Sequence, residues 1–447
     1  MRRSIAILLL AAGILLLLGT VTLYSSTTWQ PGLQRLYLHL CWLAAGGACC
    51  ALAASVPYSR LRQFHAPQWL LALACFLLAA TLVPGIGVAR NGALRWLPFG
   101  QPSEFAKLAL IVFLADYCTT NQARMHQRTA GFLCPGLLAG LVGLLVFVEP
   151  DWGTTTLLAA VALAMLAVAG SHWGYLFSAG IIGAELFAWL LLRNALRMER
   201  LLAFLDPERY KEGVGWQGWH SLLALGSGGW FGCFFGEGSH KNGFVPEQQT
   251  DFVLSLIGEE LGFVGTALVL LLFVVLLLCG ARIAWRIADP FGQLLAFGIL
   301  LLISLQALIN VGVVTSSLPN KGIALPFVSY GGSSMVCMLT GLGLLINVAR
   351  YGPVRADEKA GNPFGTRTRA KVGGPVGSLL YRSARSGAGG LRRMINRWMR
   401  ARRNSRFPSV PVHPYQRPPR RVGDRRSAHP LGRWSNRPGR VTLTPGE

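Results

Sequence analysis

The sequence predicts an all-α integral membrane protein with about ten transmembrane helices and a long outer loop between helices 7 and 8. Three observations carry that prediction. Hydrophobic residues make up 52% of the 447 and charged residues only 14%, where a soluble chain carries about a quarter charged residues. Apolar runs close to the ~20 residues that a helix needs to satisfy its own backbone across hydrocarbon recur along the first 350 residues. Between them, Lys and Arg alternate in the manner of loops held on one side of a bilayer.

Taken in order, the expected spans are 4–24, 35–56, 68–88, 106–118, 131–149, 153–172, 174–193, 253–281, 291–314 and 330–350. Arg2 and Arg3 precede the first run as in a signal peptide, but no small-x-small cleavage site occurs before Trp29, so the first span is read as an uncleaved helix. The fourth is short, and is read as extending back into the preceding loop or as re-entrant. Arg60 and Arg62, Arg124 and Arg128, and Arg282 and Arg286 fall in alternate loops, which puts both termini in the cytoplasm of a multi-pass protein of the cytoplasmic (inner) membrane.

The net charge of +23 belongs mostly to the segment after Arg350, where 22 Lys/Arg face 4 Asp/Glu. The chain therefore divides into a membrane domain, 1–350, and a basic, mostly disordered cytoplasmic tail, 351–447. Such a tail fits cytoplasmic retention and anionic membrane lipid, and nucleic acid is not expected as a partner. Within it, Leu391, Met394, Ile395, Trp398 and Met399 recur at helical spacing among arginines, so 391–403 reads either as an amphipathic helix on the inner leaflet or as a solvated basic linker. The nine cysteines show no repeated Cys-x-x-Cys and lie mostly in apolar runs, as packing residues do.

Positive charge in the expected outer loops needs a reason. Arg90, Arg95 and Lys107 cluster in one such loop, and Arg197, Arg200, Arg209, Lys211 and Lys241 lie in the segment 194–252. They either pair with Glu199, Asp206, Glu208 and Glu212 or reach lipid headgroups, or they meet an anionic substrate. Ser103 and Glu104 can open a helix as polar cap and first-turn acid, while Glu104 and Lys107 share a helix face near the membrane. Asp151 reads as the cap of the sixth span. Thr250 or Asp251 can cap the eighth, but Asp251 also lies at the membrane boundary, with Glu259 and Glu260 deeper in an apolar run, where acids are costly unless they have partners or line a polar cavity. Gly331-Gly332-Ser333-Ser334 suits either an anion near a helix N-terminus or close helix packing.

Several of these segments together resemble the SEDS (shape, elongation, division and sporulation) family of peptidoglycan polymerases. They are Gln101-Pro102-Ser103-Glu104-Phe105-Ala106-Lys107, Glu149-Pro150-Asp151-Trp152-Gly153-Thr154, Leu205-Asp206-Pro207, Gln217 with Ser221, Gly226-Ser227-Gly228-Gly229, Pro246-Glu247 with Thr250-Asp251-Phe252, Gly258-Glu259-Glu260-Leu261-Gly262, and the run from Leu325 to Ser334 that includes Ser329 and Tyr330. The chain departs from the family at Glu149 and Trp152, where Gln and Leu are commoner, and at His220 and His240, where glutamines are commoner. Pro319-Asn320-Lys321-Gly322 resembles division-type members more than elongation-type members.

The resemblance implies a glycosyltransferase that polymerises lipid II at the outer face and releases undecaprenyl pyrophosphate, working with a class B penicillin-binding protein and other division proteins. Asp251 matches the aspartate required for polymerisation. Substrate contacts are expected at Lys241, Glu104, Lys107, Arg200, Gln217, Ser221, Ser329, Gly331, Gly332 and Ser333. No residue is assigned to a metal, and the departing pyrophosphate is expected to be neutralised by Lys241, Arg200 and Lys107 or by a divalent cation, Mg2+ or Mn2+. The resemblance to division-type members points to septal wall synthesis, and an elongation-type polymerase, a flippase or transporter of lipid-linked sugars, and a division scaffold are the rival readings.

Overall fold

The structure is a computed structural model, and it describes residues 1–27, 34–90, 93–233, 236, 238 and 249–355. The described residues all belong to the first of the two units into which the chain divides, Met1–Gly387. The expected tail helix at 391–403, together with Lys241 and His240, lies outside the described residues.

Helices dominate in chain order: α1 (Arg2–Thr27), α2 (Gln34–Ser55), α3 (Ala66–Thr81), α4 (Pro102–Thr120), α5 (Cys134–Val148), α6 (Trp152–Ala169), α7 (Trp173–Leu192), α8 (Ala195–Leu205), α9 (Trp216–Ser227), α10 (Val253–Arg286), α11 (Pro290–Val314) and α12 (Gly332–Tyr351). A two-stranded antiparallel hairpin, β1 (Val88–Arg90) and β2 (Ala93–Trp96), precedes α4. Among the described residues, nine helices are long and apolar enough to cross a membrane. The fourth expected span is the helix α4, which starts at Pro102 rather than at 106 and carries Glu104, Lys107 and Asp116. The long loop expected after the seventh span contains α8 and α9.

Burial sorts the helices into an inner and an outer set. α4 is buried along nearly its whole length, and 72% of the most apolar stretch of α12 is buried, against 6% for α7. The outward side chains of α7, such as Phe177, Ile181, Ile182 and Leu186, are exposed, as lipid-facing residues are in a protein whose solvent is hydrocarbon. Close approach of α2 and α12 depends on small residues: a Cβ at Gly343 would lie 2.4 Å from the Cys50 carbonyl oxygen. Asn347, fully buried on α12, closes the open end of α2. Its amide donates to the carbonyls of Ala53 and Val56, and its oxygen accepts the Tyr58 N–H at 2.9 Å, so groups orphaned at the helix end stay satisfied away from water.

α10 is broken at Gly262, whose φ of 65° and ψ of −161° fall in a region open essentially to glycine alone. The break frees backbone groups, and the segment after α9 takes them up. Phe263 N–H donates to Gly229 O at 2.9 Å, Val264 N–H to Trp230 O at 3.1 Å, and Cys233 N–H to Glu259 O at 3.0 Å. The result is a short half-helix that begins just past Asp251 and carries buried Glu259 and Glu260, the latter accepting from Ser25 on α1 and from the Gly236 N–H. A Cβ at position 262 would lie 2.5 Å from Gly232 N. Gly262→Ala is therefore expected to destabilise the protein by more than the ~1–3 kcal/mol of backbone strain alone, read as a fall in the unfolding midpoint and in the folded yield in detergent.

Candidate active site

Asp251 lies in the turn that leads into the α10 half-helix. Phe252 is the cap residue of that helix, and no side chain caps it, which corrects the reading of Thr250 or Asp251 as an N-cap. The turn is tied on two sides. Asn310 on α11 uses both hydrogens of its amide, one on the Asp251 carbonyl at 2.7 Å and one on the Ile323 carbonyl at 2.8 Å, while Tyr330 N–H donates to Gln249 O at 2.8 Å. These bonds hold Asp251 against the loop between α11 and α12. At Gly322, with φ 65°, a Cβ would stand 3.3 Å from Asp251 Oδ2, so a residue without a side chain lets the loop pass the carboxylate.

Neighbouring Lys321 is half-buried with its Nζ 5.4 Å from the centre of the Phe187 ring, and burial pushes its pKa down. Phe187 packs edge-on to Trp152 at 5.1 Å, and the Arg197 guanidinium lies 3.7 Å over the Trp152 ring. Burial lowers the pKa of Arg197, with Arg200 and Arg95 adding like-charge repulsion. Among the described residues neither Arg197, Arg200 nor Arg209 forms an ion pair with Glu199, Asp206, Glu208 or Glu212. Arg197 and Lys321 thus meet one aromatic patch, Trp152 and Phe187, and Lys321 is the chain neighbour of Gly322, which lies against Asp251. Sequence reasoning placed Lys321 only as a marker of family type, and it left Arg197 out of the expected contacts. The signal was there in both cases, as positive charge in a loop expected on the outer side.

The remaining expected contacts fall into distinct places. Gln217 Oε1 on α9 accepts from Asn320 Nδ2 at 2.6 Å, and Ser221, fully buried, donates to the Val314 carbonyl at 2.9 Å. Both brace the loop that carries Lys321. Ser329 is buried and accepts the Leu325 N–H at 2.8 Å within its own turn. Gly331 is the residue before α12, Gly332 packs on the Trp42 indole, and Ser333 Oγ accepts the Gln101 N–H at 3.2 Å. Arg200 is exposed on α8.

Glu104 and Lys107 form a buried pair at 2.7 Å, with Lys107 only 1% exposed. Glu104 Oε2 and the Ser103 hydroxyl are buried with no hydrogen-bond partner among the described residues. Ser103 is not the cap of α4: Gln101 holds that position and Pro102 opens the helix. Asp151 does cap α6, accepting from Thr154 N at 3.0 Å and from Thr154 Oγ1 at 2.9 Å, and Gln101 Nε2 reaches it at 3.4 Å.

Glu149 beside it is fully buried and its pKa is pushed up to about 7 by burial. Hydrogen counting agrees. Thr81 Oγ1 is 2.6 Å from the Leu78 carbonyl and 2.5 Å from Glu149 Oε1. The one hydroxyl hydrogen can fully serve one of them, so a carboxyl that supplies the second hydrogen satisfies both contacts. A carboxyl with a raised folded-state pKa adds stability below its unfolded value, and that stability is lost as pH rises through about 7. Glu149→Gln, which places the family's commoner residue here, is expected to flatten that decline and to unfold at a higher temperature than the parent at pH 8, as measured by melting in detergent at pH 5 and pH 8.

No three His, Cys, Asp or Glu side chains converge as a metal site among the described residues.

The fold and this site define a polytopic membrane protein with an aspartate just ahead of a broken helix, against a loop whose lysine joins a basic and aromatic patch. Residues 1–353 match the model of the FtsW/RodA/SpoVE family, described as cell cycle protein, and the chain belongs to that family. It is 38% identical over 354 residues to a probable peptidoglycan glycosyltransferase FtsW of Trichlorobacter lovleyi, covering 77% of this chain and 92% of that protein. With the stage V sporulation protein E of Bacillus subtilis it shares 36% over 351 residues, 78% and 95% of the two chains. Among solved structures it is similar to a chain from work on the structural coordination of polymerization and crosslinking by a peptidoglycan synthase complex, with TM-score 0.66, 28% identity, and coverage of 77% and 96%. Thermus thermophilus RodA gives TM-score 0.58 at 28% identity, with 77% and 95% covered.

Proposed function

We propose that this chain is a peptidoglycan glycosyltransferase that polymerises lipid II into glycan strands for septal wall synthesis. The observation that carries the reading is the Asp251 carboxylate held at Gly322 beside Lys321. The relatives named FtsW support the division-type role, as does Lys321 within Pro319-Asn320-Lys321-Gly322.

In the proposed step the 4-hydroxyl of the acceptor sugar attacks the anomeric carbon of the growing chain. The new C–O bond forms as the bond to the lipid pyrophosphate breaks, and the leaving group departs with the bonding electrons. Asp251 takes the hydroxyl proton, which as general base is worth on the order of 100- to 10,000-fold. Lys321, Arg197 and Arg200 offset the charge that develops on the pyrophosphate. Lys107, expected among those cations, lies buried in its pair with Glu104. Lys241 keeps its expected role, outside the described residues.

The proposal places the protein in the cytoplasmic membrane with both termini inside and Asp251 at the outer face. Arg60, Arg62, Arg124, Arg128, Arg282 and Arg286 then share the cytoplasmic side. A class B penicillin-binding protein is the proposed partner, in keeping with the synthase complex among the similar structures.

One observation favours a second reading. A membrane helix broken within its length, as α10 is at Gly262, is a device of transporters. Labelled lipid II in detergent, where there are no two sides, separates the readings when the cognate penicillin-binding protein is present. Glycan strands from the parent chain are the expected result, while none there but lipid transfer across vesicles would favour the flippase.

A further inference from the structure

At the end of the bundle opposite Asp251, α1 and α10 leave a cavity of about 620 Å³ between them. Its rim carries Arg2 and Arg3 from α1 and Arg282 and Arg286 from α10, and its wall is formed by Ile7 and Leu278. Ile7 and Leu278 are 45% and 61% exposed, on the surface that meets hydrocarbon. Guanidinium groups gathered on one rim repel, and the placing of Arg2, Arg3 and Arg282 there is favoured by an anion. The described residues do not supply one to Arg2, Arg3 or Arg282, which form no ion pair there. The nearby carboxylate, Asp289, is taken by the Tyr58 hydroxyl at 2.9 Å and the Gly292 N–H at 2.9 Å. The first turn of α1 also points here. Its leading amides have no acceptor within the helix, and the positive end of the helix dipole adds to the arginine charge.

We infer that this cavity is a binding site for one anionic phospholipid, with the headgroup phosphate between the α1 and α10 arginines and the acyl chains along Ile7 and Leu278. A free phosphate would satisfy the charge but leave the apolar wall without a purpose. The lipid uses both, since charge sits at the depth of the headgroups and the wall continues toward the bilayer interior. The inference is independent of the reaction at Asp251, because the two sites lie at opposite ends of α10.

The test uses the full chain, stripped of lipid in neutral detergent, titrated with phosphatidylglycerol and observed intact by native mass spectrometry. One phosphatidylglycerol per chain is expected, with phosphatidylethanolamine binding far more weakly and equimolar inorganic phosphate not displacing the lipid. Arg3 and Arg282 are exposed, so Arg3→Gln with Arg282→Gln should fold with an unchanged melting point and bind about thirtyfold more weakly. Arg3→Lys with Arg282→Lys should keep most of the affinity, and Arg124→Gln with Arg128→Gln, away from the cavity, should keep all of it. Equal binding of the two lipids, unchanged affinity in the glutamine variant, an equal loss in the Arg124 and Arg128 variant, or displacement by phosphate would each overturn the inference.

Discussion

Asp251→Asn is expected to stop glycan-chain growth from lipid II, with a loss on the order of 100- to 10,000-fold, the contribution of a positioned general base. The substitution removes the proton acceptor and keeps the size and shape of the side chain. One structural bond at this position is made by the backbone carbonyl, which receives the Asn310 amide and is unchanged in the variant. The loop passes at Gly322 with a contact distance that an amide group fits as well as a carboxylate. The melting point in detergent should therefore stay near that of the parent while labelled strands disappear from gels run with the cognate penicillin-binding protein. Near-normal strands from a folded Asp251→Asn chain would remove Asp251 from the chemistry, and the cation patch alone would not restore the proposed mechanism.

The second large effect is on stability. Lys107→Met leaves Glu104 buried with its charge uncompensated, and breaking a buried pair in this way costs about 3–5 kcal/mol. Glu104 Oε2 already lacks a partner among the described residues, so nothing nearby takes over from the ammonium. A double variant, Glu104→Gln with Lys107→Met, removes both charges and should recover most of the lost stability, because replacing a whole buried pair is often neutral. Strand synthesis then separates two roles. Recovery of both melting point and activity in the double variant would make the pair a packing device. Recovery of the melting point alone would give it a part in holding the substrate, as the sequence expectation had it.

The spans were largely legible, because hydropathy sums along the chain. The exception, α4, shows the limit of that sum. Glu104, Lys107 and Asp116 lower its apolar character, yet α4 is among the most buried helices. Its charges are neutralised by partners, Lys107 by Glu104 and Asp116 by Arg62 at 2.7 Å, and of those only the i, i+3 partner is local. Caps divided in the same way. Asp151 caps α6 as its sequence suggests, whereas Ser103 and Asp251 have the right residue type one or two positions from where the helix actually begins. The basic residues of 194–252 were visible, but not that Arg197 would lie over Trp152 and Lys321 beside Phe187. Those neighbours are distant in sequence and no local pattern links them.

The sequence by itself determined that this chain enters a membrane, roughly where it crosses, and that it carries a basic tail. Each of these follows from residue composition over a window, since the free energy of moving side chains into hydrocarbon is close to additive. The family too was readable, because its motifs are short runs of residues. Tertiary structure alone decided that α10 breaks at Gly262, since that backbone is tolerable only where the segment Gly229–Cys233 accepts and supplies its hydrogen bonds. It likewise decided which acids and bases meet. A buried polar group is satisfied by whatever the fold brings within about 3 Å, and that distance is set by how the helices pack.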